Sequence, residues 1–382
     1  MEYKVKGTPL TAAALCVCVA AVCWFTAQSF MEMWKPDVIY PTPDFEAHML
    51  SEWEPALKGT HGDTPVYIQK GEAEGGTVFI MGGTHPNEPS GPMAALMYLE
   101  RAKVKQGRMI VMPFANLSAT THNSPQDAAP QHFTIQQKDG KSRVFKYGSR
   151  ATNPIDQWPE PDVYIHYPSQ QKLDGGSRSN LNRSYPGTKN DGLTQLVGLA
   201  VIELLKKENV DIAFDLHEAS PEYPVINAIV AHENSMELAA MVCMELEMNE
   251  IPMRLEPSPV NFRGLSHREW GDSIPTLMPI LMESGNPAQG RLRGRTNEAL
   301  VLTGRDKAYA KAAQLGVLFI PYVDSQTLEL RTARHVTAVK TFLDLIGEVR
   351  EGKDIVVENI PSYDEIISEG LGAFLAVAPD AK

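Results

Sequence analysis

Apolar positions in this chain fall into short solid runs separated by stretches with helical spacing. Gly76-Thr77-Val78-Phe79-Ile80-Met81 is an apolar run bounded by glycines, which predicts a buried strand. It ends in Gly82-Gly83 and then Thr84-His85. Pro89 to Lys103 follows with helical spacing, its proline early enough to start a helix. Arg108 to Phe114 is a second strand candidate. Leu193, Leu196, Val197, Ala200, Val201 and Leu204 mark an amphipathic helix. Asp211 to Leu216 reads as a strand ending on His217, and Val225 to Val230 as another. Ser235 to Glu247 reads as a helix, and Leu277 to Met282 as a strand ending on Glu283. Val336, Val339, Leu343 and Ile346 predict a late helix. Residues 115–190 are mostly Asn, Ser, Pro, Gln, Asp and Gly and show little regular pattern. A long loop of that kind inside a compact domain is often functional.

Solid apolar strands alternating with helices predict an α/β fold: a mixed, mostly parallel sheet with helices on both faces. In such sheets sites form beyond the carboxyl ends of the strands. His85, His217 and Glu283 are the polar residues placed there. The sequence contains no internal repeat.

The N-terminus breaks the pattern. Lys4 and Lys6 precede an apolar run from Ala12 to Phe25, and the next charge is Glu32. A basic start before a short apolar run is an export signal or a signal anchor. The run approaches the roughly 20 residues that a spanning helix needs. Ala27-Gln28-Ser29 offers a small-residue cleavage site. The bland alternative is a buried core helix. The expected organisation is an anchor or signal over 1–31, a linker or lead-in over 32–63, the main folded domain over 64–350 and an acidic tail over 351–382.

Composition adds little except exclusions. The 382 residues are 43% hydrophobic and 21% charged, which is ordinary globular usage. The net charge is -12, and no basic patch points to nucleic acid. Cys16, Cys18 and Cys23 lie in the N-terminal segment. Cys243 alone remains for the folded domain, so the domain has no internal disulfide.

Four clusters carry candidate chemistry. In Gly82-Gly83-Thr84-His85-Pro86-Asn87-Glu88, a His and a Glu three apart in a turn can both face one ion, and zinc accepts both donor types. Phe214-Asp215-Leu216-His217-Glu218 offers one more imidazole. Two His and one Glu make an open catalytic zinc set. Strand alternation is expected to point Asp215 away from His217. Asn182-Arg183, within Leu181 to Gly187, supplies an amide and a guanidinium fork for a substrate carboxylate. Glu283, in Leu281-Met282-Glu283-Ser284-Gly285, is a carboxylate stranded after an apolar strand, which is costly without a partner or a task. Each has a bland reading when taken alone: a surface pair, a buried structural histidine, a loop salt bridge.

The order of the four clusters, over roughly residues 75–290, resembles the succinylglutamate desuccinylase/aspartoacylase family. It is also similar to the wider group of M14-type zinc carboxypeptidases. The resemblance implies an α/β/α fold, one zinc ion per chain and hydrolysis of an amide next to a carboxylate. It implies His85, Glu88 and His217 as zinc ligands, Asn182 and Arg183 as the carboxylate grip, and Glu283 as general base and acid. The family has a further arginine before the Asn-Arg pair that polarises the scissile carbonyl. Arg178 is the nearest candidate and Arg150 a poorer one. The Tyr that carboxypeptidases carry upstream of the catalytic Glu is missing from Asn261 to Arg268. Arg263 and Arg268 there are free to meet a second acidic group or to sit solvated on the rim. The readings are a zinc deacylase acting on a small acyl-amino acid, an extracytoplasmic metallocarboxypeptidase acting on peptides or cell-wall peptides, and a membrane-tethered binding module without catalysis. The N-terminal segment places the protein at a membrane facing the periplasm, or exported.

Overall fold

The structure is a computed structural model that describes residues 8–123, 129–322 and 325–377. The basic start at Lys4 and Lys6 and the end of the tail from 378 lie outside the described residues. The chain divides into two units, one ending at Asp37 and one beginning at Val38.

The first unit is one helix, α1 (Pro9–Glu32). Thr8 caps it, its hydroxyl accepting from Thr11 N at 3.2 Å, with proline in the first turn. None of its residues is buried. By length and composition it is able to cross a membrane, and a signal sequence has the same properties.

The strands of the second unit are β1 (Glu46–Met49), β2 (Pro65–Lys70), β3 (Ala73–Met81), β4 (Lys103–Met112), β5 (His132–Gln136), β6 (Ser142–Lys146), β7 (Val163–Ile165), β8 (Lys172–Asp174), β9 (Ile212–Ala219), β10 (Ala228–Ala231), β11 (Arg254–Pro257), β12 (Met278–Gly285) and β13 (Val356–Glu358). Its helices are α2 (Ser90–Arg101), α3 (Leu193–Lys207), α4 (Met236–Met248), α5 (Ser266–Ser273), α6 (Glu298–Thr303), α7 (Lys307–Gln314), α8 (Leu328–Val349) and α9 (Tyr363–Glu369). Among the described residues the main sheet has nine strands, ordered β1-β2-β4-β3-β9-β12-β10-β11, with β13 on β4. β4, β3, β9 and β12 are mutually parallel; β2 and β10 run against them. The sheet is therefore mixed, with a parallel centre, as its solid apolar strands predicted.

Strand parity divides the core. Ile212, Phe214 and Leu216 of β9 and Met278, Ile280 and Met282 of β12 pack with α2, α4 and α8 on one face. Phe79, Met81, Ile110, Met112 and Ala213 pack with α3 and with Trp270 of α5 on the other. Trp270 is fully buried and edge-on to both Phe79 (centroids 6.1 Å apart) and Tyr185 (5.5 Å). Gly83 turns the chain out of β3 with φ +68; a Cβ there would lie 2.9 Å from the Pro113 carbonyl oxygen.

The ordered body is wider than residues 64–350. Within 32–63, β1 pairs antiparallel with β2, and Leu50, Trp53 and Leu57 are buried. Within 351–382, β13 pairs antiparallel with β4, and Ile366, Leu371 and Leu375 join the core. Strands of three or four residues carry too few alternations to be read from a pattern. Residues 115–190 hold two short hairpins, β5-β6 and β7-β8.

Trp270 fills the space between α5 and the sheet. Trp270→Ala is expected to lower unfolding free energy by about 3–5 kcal/mol, read as a lower midpoint in urea.

Candidate metal and active site

Parallel pairing sets the site. Glu283 on β12 is the direct register partner of His217 on β9, and Met81 on β3 is the partner of Asp215. Asp215, His217 and Glu283 share parity with Ala213, so all three project on the α3 and α5 side of the sheet. His85 and Glu88 lie in the turn between β3 and α2, where Glu88 N donates to the His85 carbonyl at 2.9 Å.

The two imidazoles are fixed by their far nitrogens. His85 Nε2 lies 2.8 Å from Asn180 Oδ1, and His217 Nε2 lies 2.9 Å from Asp215 Oδ2. Both partners are acceptors, so in the neutral rings that bind a metal the proton would sit on Nε2 and leave each Nδ1 with a lone pair. Those Nδ1 atoms are 3.1 Å apart. Glu88 Oε1 is 2.9 Å from Nδ1 of His85, and its Oε2 is 2.9 Å from Nδ1 of His217. Three lone-pair donors, all buried, converge within 4.8 Å of one another. Spacings near 3 Å suit bonds of about 2.0–2.1 Å to a shared cation at near-tetrahedral angles. The donor set fits zinc.

Electrostatics favour positive charge at that point. Burial pushes the His85 imidazole down to about 4, the neutral form a ligand needs. Burial also disfavours charge on His217, yet the Asp215 and Glu88 carboxylates hold it well above the usual histidine range. Burial alone would raise Glu88, but the two imidazoles hold it well below the carboxylate range. The carboxylates thus ask for positive charge at the point between the Nδ1 atoms.

The expectation for Asp215 was wrong. Residues two apart on a strand share a face, so alternation brings Asp215 to His217 rather than away from it. Thr84 Oγ1 donates to the other Asp215 oxygen at 2.7 Å, tying the turn that carries His85 to the strand that carries His217.

Glu283 opens on a cleft of about 490 Å³ that it shares with Arg150, Asn182, Arg183 and His267. Burial, reinforced by Glu88, pushes its carboxyl up to about 8, against the pull of His217. Its Oε2 has no hydrogen-bond partner among the described residues. Asn182 accepts from Ser266 N at 2.9 Å. The Arg183 guanidinium packs 4.6 Å from the Phe262 ring and donates to the Asn182 carbonyl at 2.5 Å. Among the described residues it pairs with no carboxylate. Burial pulls Arg183 down to about 10, so it stays charged. Gly264, at φ +87, packs on the Arg183 backbone; a Cβ there would sit 2.3 Å from the Arg183 carbonyl oxygen.

Not every predicted residue arrives. Arg178 is away from the cleft, its guanidinium held by Asp191 (2.7 and 2.8 Å) and the Pro159 carbonyl. Arg150 lines the cleft instead and donates to Glu88 at 2.9 Å. Arg263 is tied to Glu269 and Asp272, and Arg268 to Glu233 and Asp272, so neither is free for a substrate acid. Sequence reading passed over Asn180, His335 and Arg331. His335 Nε2 donates to the His217 carbonyl at 3.0 Å. Arg331 meets Glu218 at 2.5 Å, both fully buried. Asn180 stands two residues before Asn182, which was the one available signal.

Asp215→Asn keeps the shape and removes the charge that orients His217. It is expected to weaken zinc affinity about 10–100-fold, read by competition with a chelating dye.

No family model matches the chain, and no curated protein matches it. Solved structures do. One is a succinylglutamate desuccinylase/aspartoacylase from Rhodobacter sphaeroides, at 14% identity and a TM-score of 0.41, covering 82% of this chain and 68% of that one. Another is a metallo-carboxypeptidase from Burkholderia cenocepacia, at 10% identity and a TM-score of 0.44, covering 80% and 66%. A third is the product-bound ectoine utilization protein EutE (DoeB) from Ruegeria pomeroyi, at 17% identity and a TM-score of 0.39. The match covers 75% of this chain and spans 61% of the length of the Ruegeria protein. Solved proteins this chain is similar to thus include desuccinylase/aspartoacylase family members and a metallo-carboxypeptidase.

Proposed function

We propose that this chain is a zinc-dependent amidohydrolase that cleaves an amide bond next to a carboxylate, a deacylase of small acyl-amino acids. One observation carries the reading. Nδ1 of His85, Nδ1 of His217 and the Glu88 carboxylate converge on one point, and Glu283, the register partner of His217, lines a cleft that also holds Arg183, which pairs with no carboxylate among the described residues. A zinc ion held by those three residues would polarise the scissile carbonyl and acidify a water.

The remaining roles belong to the protein's own groups. Arg183 binds the substrate carboxylate through its fork, beside Asn182. Arg150 reaches the cleft from its contact with Glu88 and offers N–H groups to the carbonyl oxygen as it gains charge. Glu283 takes a proton from water at its Oε2 and passes it to the departing nitrogen. Its burial makes it a stronger base than an exposed carboxylate.

The N-terminal helix supports action at or beyond a membrane. That favours, as a second reading, a carboxypeptidase acting on peptides there. Turnover of an N-acyl amino acid series beside a peptide series separates the two. A binding module without catalysis would show neither.

Glu283→Gln is expected to cut turnover by about 10²–10⁴ while one zinc per chain remains. His217→Ala is expected to lose the metal. Full zinc occupancy in His217→Ala would overturn the ligand set, and near-normal turnover in Glu283→Gln would overturn the base. The base works ionised, so kcat/KM should fall as pH drops through the Glu283 pKa. A cation alongside favours the carboxylate, so in zinc-loaded protein this acid limb should lie below pH 8, checked by a pH profile.

A further inference from the structure

Two loops contribute to the cleft beyond Arg183 and Glu283. The loop between β9 and β10 lines it with Ser220 and Tyr223, and the segment that follows β12 lines it with Gln289 and Arg291. Glu222 joins the two loops. Its Oε1 accepts from Arg291 N at 2.7 Å, and its Oε2 accepts from the Tyr309 hydroxyl at 2.6 Å. Tyr309 lies on α7 and is fully buried. Among the described residues Glu222 makes no ion pair. Its carboxylate is therefore spent on a backbone N–H of the second loop and a phenol anchored in the body of the protein.

The surroundings are shaped to that contact. A Cβ on Gly290 would lie 1.2 Å from the Tyr309 hydroxyl oxygen, so glycine is what lets the phenol sit against this loop and reach Glu222. The segment after β12 is also tied at its near end. Asn286 Nδ2 donates to Glu218 at 2.8 Å, and Asn286 N donates to the Ala219 carbonyl at 2.7 Å. Gln289 Oε1 accepts from Asn87 Nδ2 at 3.3 Å, in the turn that carries His85 and Glu88. Across the gap, the Pro221 carbonyl accepts from Phe319 N at 3.2 Å. These bonds do not involve Glu222, so its loss is expected to release the loop tips and leave the body folded.

We propose that Glu222 is a positioning residue: it latches the β9–β10 loop to the segment after β12 and so holds Tyr223 and Arg291 in place on the cleft wall for substrate binding. The inference rests on the hydrolase reading for its substrate, but the latch itself can be read without turnover. Loops that are already ordered add no ordering cost when substrate binds. A released rim would carry that cost at the binding step, while the ligand set and Glu283 stay as they are. Loss of the latch should therefore move KM and leave kcat.

The full zinc-loaded chain tests this with Glu222→Ala, Glu222→Gln and Tyr309→Phe, using N-acetylglutamate as the probe. Glu222→Ala is expected to raise KM about tenfold, with kcat within about twofold and zinc content unchanged. Glu222→Gln keeps an oxygen for Arg291 N and an amide for the Tyr309 oxygen, so it should restore most of the loss. Tyr309→Phe removes one of the two bonds and should fall between. Amide hydrogen exchange over residues 219–225 and 288–293, the Arg291 amide above all, should quicken about tenfold in Glu222→Ala while β9 and β12 keep their protection. Unchanged exchange, an unchanged KM, or a loss confined to kcat overturns the proposal. If N-acetylglutamate is turned over by no form of the chain, the hydrolase reading fails instead, and its calorimetric affinity replaces KM. Binding about tenfold weaker in Glu222→Ala then supports the latch; equal affinity, or none in any form, overturns it.

Discussion

Two contacts on the far side of two rings govern this site, one a hydrogen bond and one an ion pair. Asn180 fixes Nε2 of His85, and Asp215 fixes Nε2 of His217. Each contact favours one ring orientation. With both rings held, two lone pairs face each other across 3.1 Å, and the Glu88 carboxylate closes the third side. That arrangement is unfavourable for neutral donors packed in a dry interior, and a divalent cation relieves it. Remove either anchor and a ring is free to rotate, and the convergence is lost. The parallel sheet exists, as far as this chemistry is concerned, to bring those anchors and Glu283 into one register.

Much of this was legible in the sequence. Solid apolar runs ending in His217 and Glu283 gave both the parallel centre of the sheet and the edge at which function gathers. What stayed illegible was of two kinds. Short elements such as β1, β13 and the β7-β8 hairpin have too few residues for periodicity to show, and their order comes from pairing with strands distant in sequence. The choice among arginines was the second kind. Arg178 is closer to Asn182 along the chain, but Asp191 holds it; Arg150, further away, is delivered by the loop that follows β6. Sequence separation carries no information about which guanidinium already has a carboxylate.

The Asp215 error has a plain cause. The period of a strand is two, so the residue that looks like a bystander two positions before a ligand is on the ligand's own side. The same rule puts Glu218, the next residue after His217, on the opposite face, against Arg331 of α8.

That opposite face has a consequence for how the protein can change. α8 contributes no residue to the lining of the cleft, yet His335 holds the carbonyl of His217 and Arg331 holds Glu218. Glu218 N in turn donates to Glu88 at 3.1 Å. A helix on the far side of the sheet therefore clamps the backbone from which the His217 ring projects. Drift in the packing of α8 transmits to the geometry of the His85, Glu88 and His217 cluster.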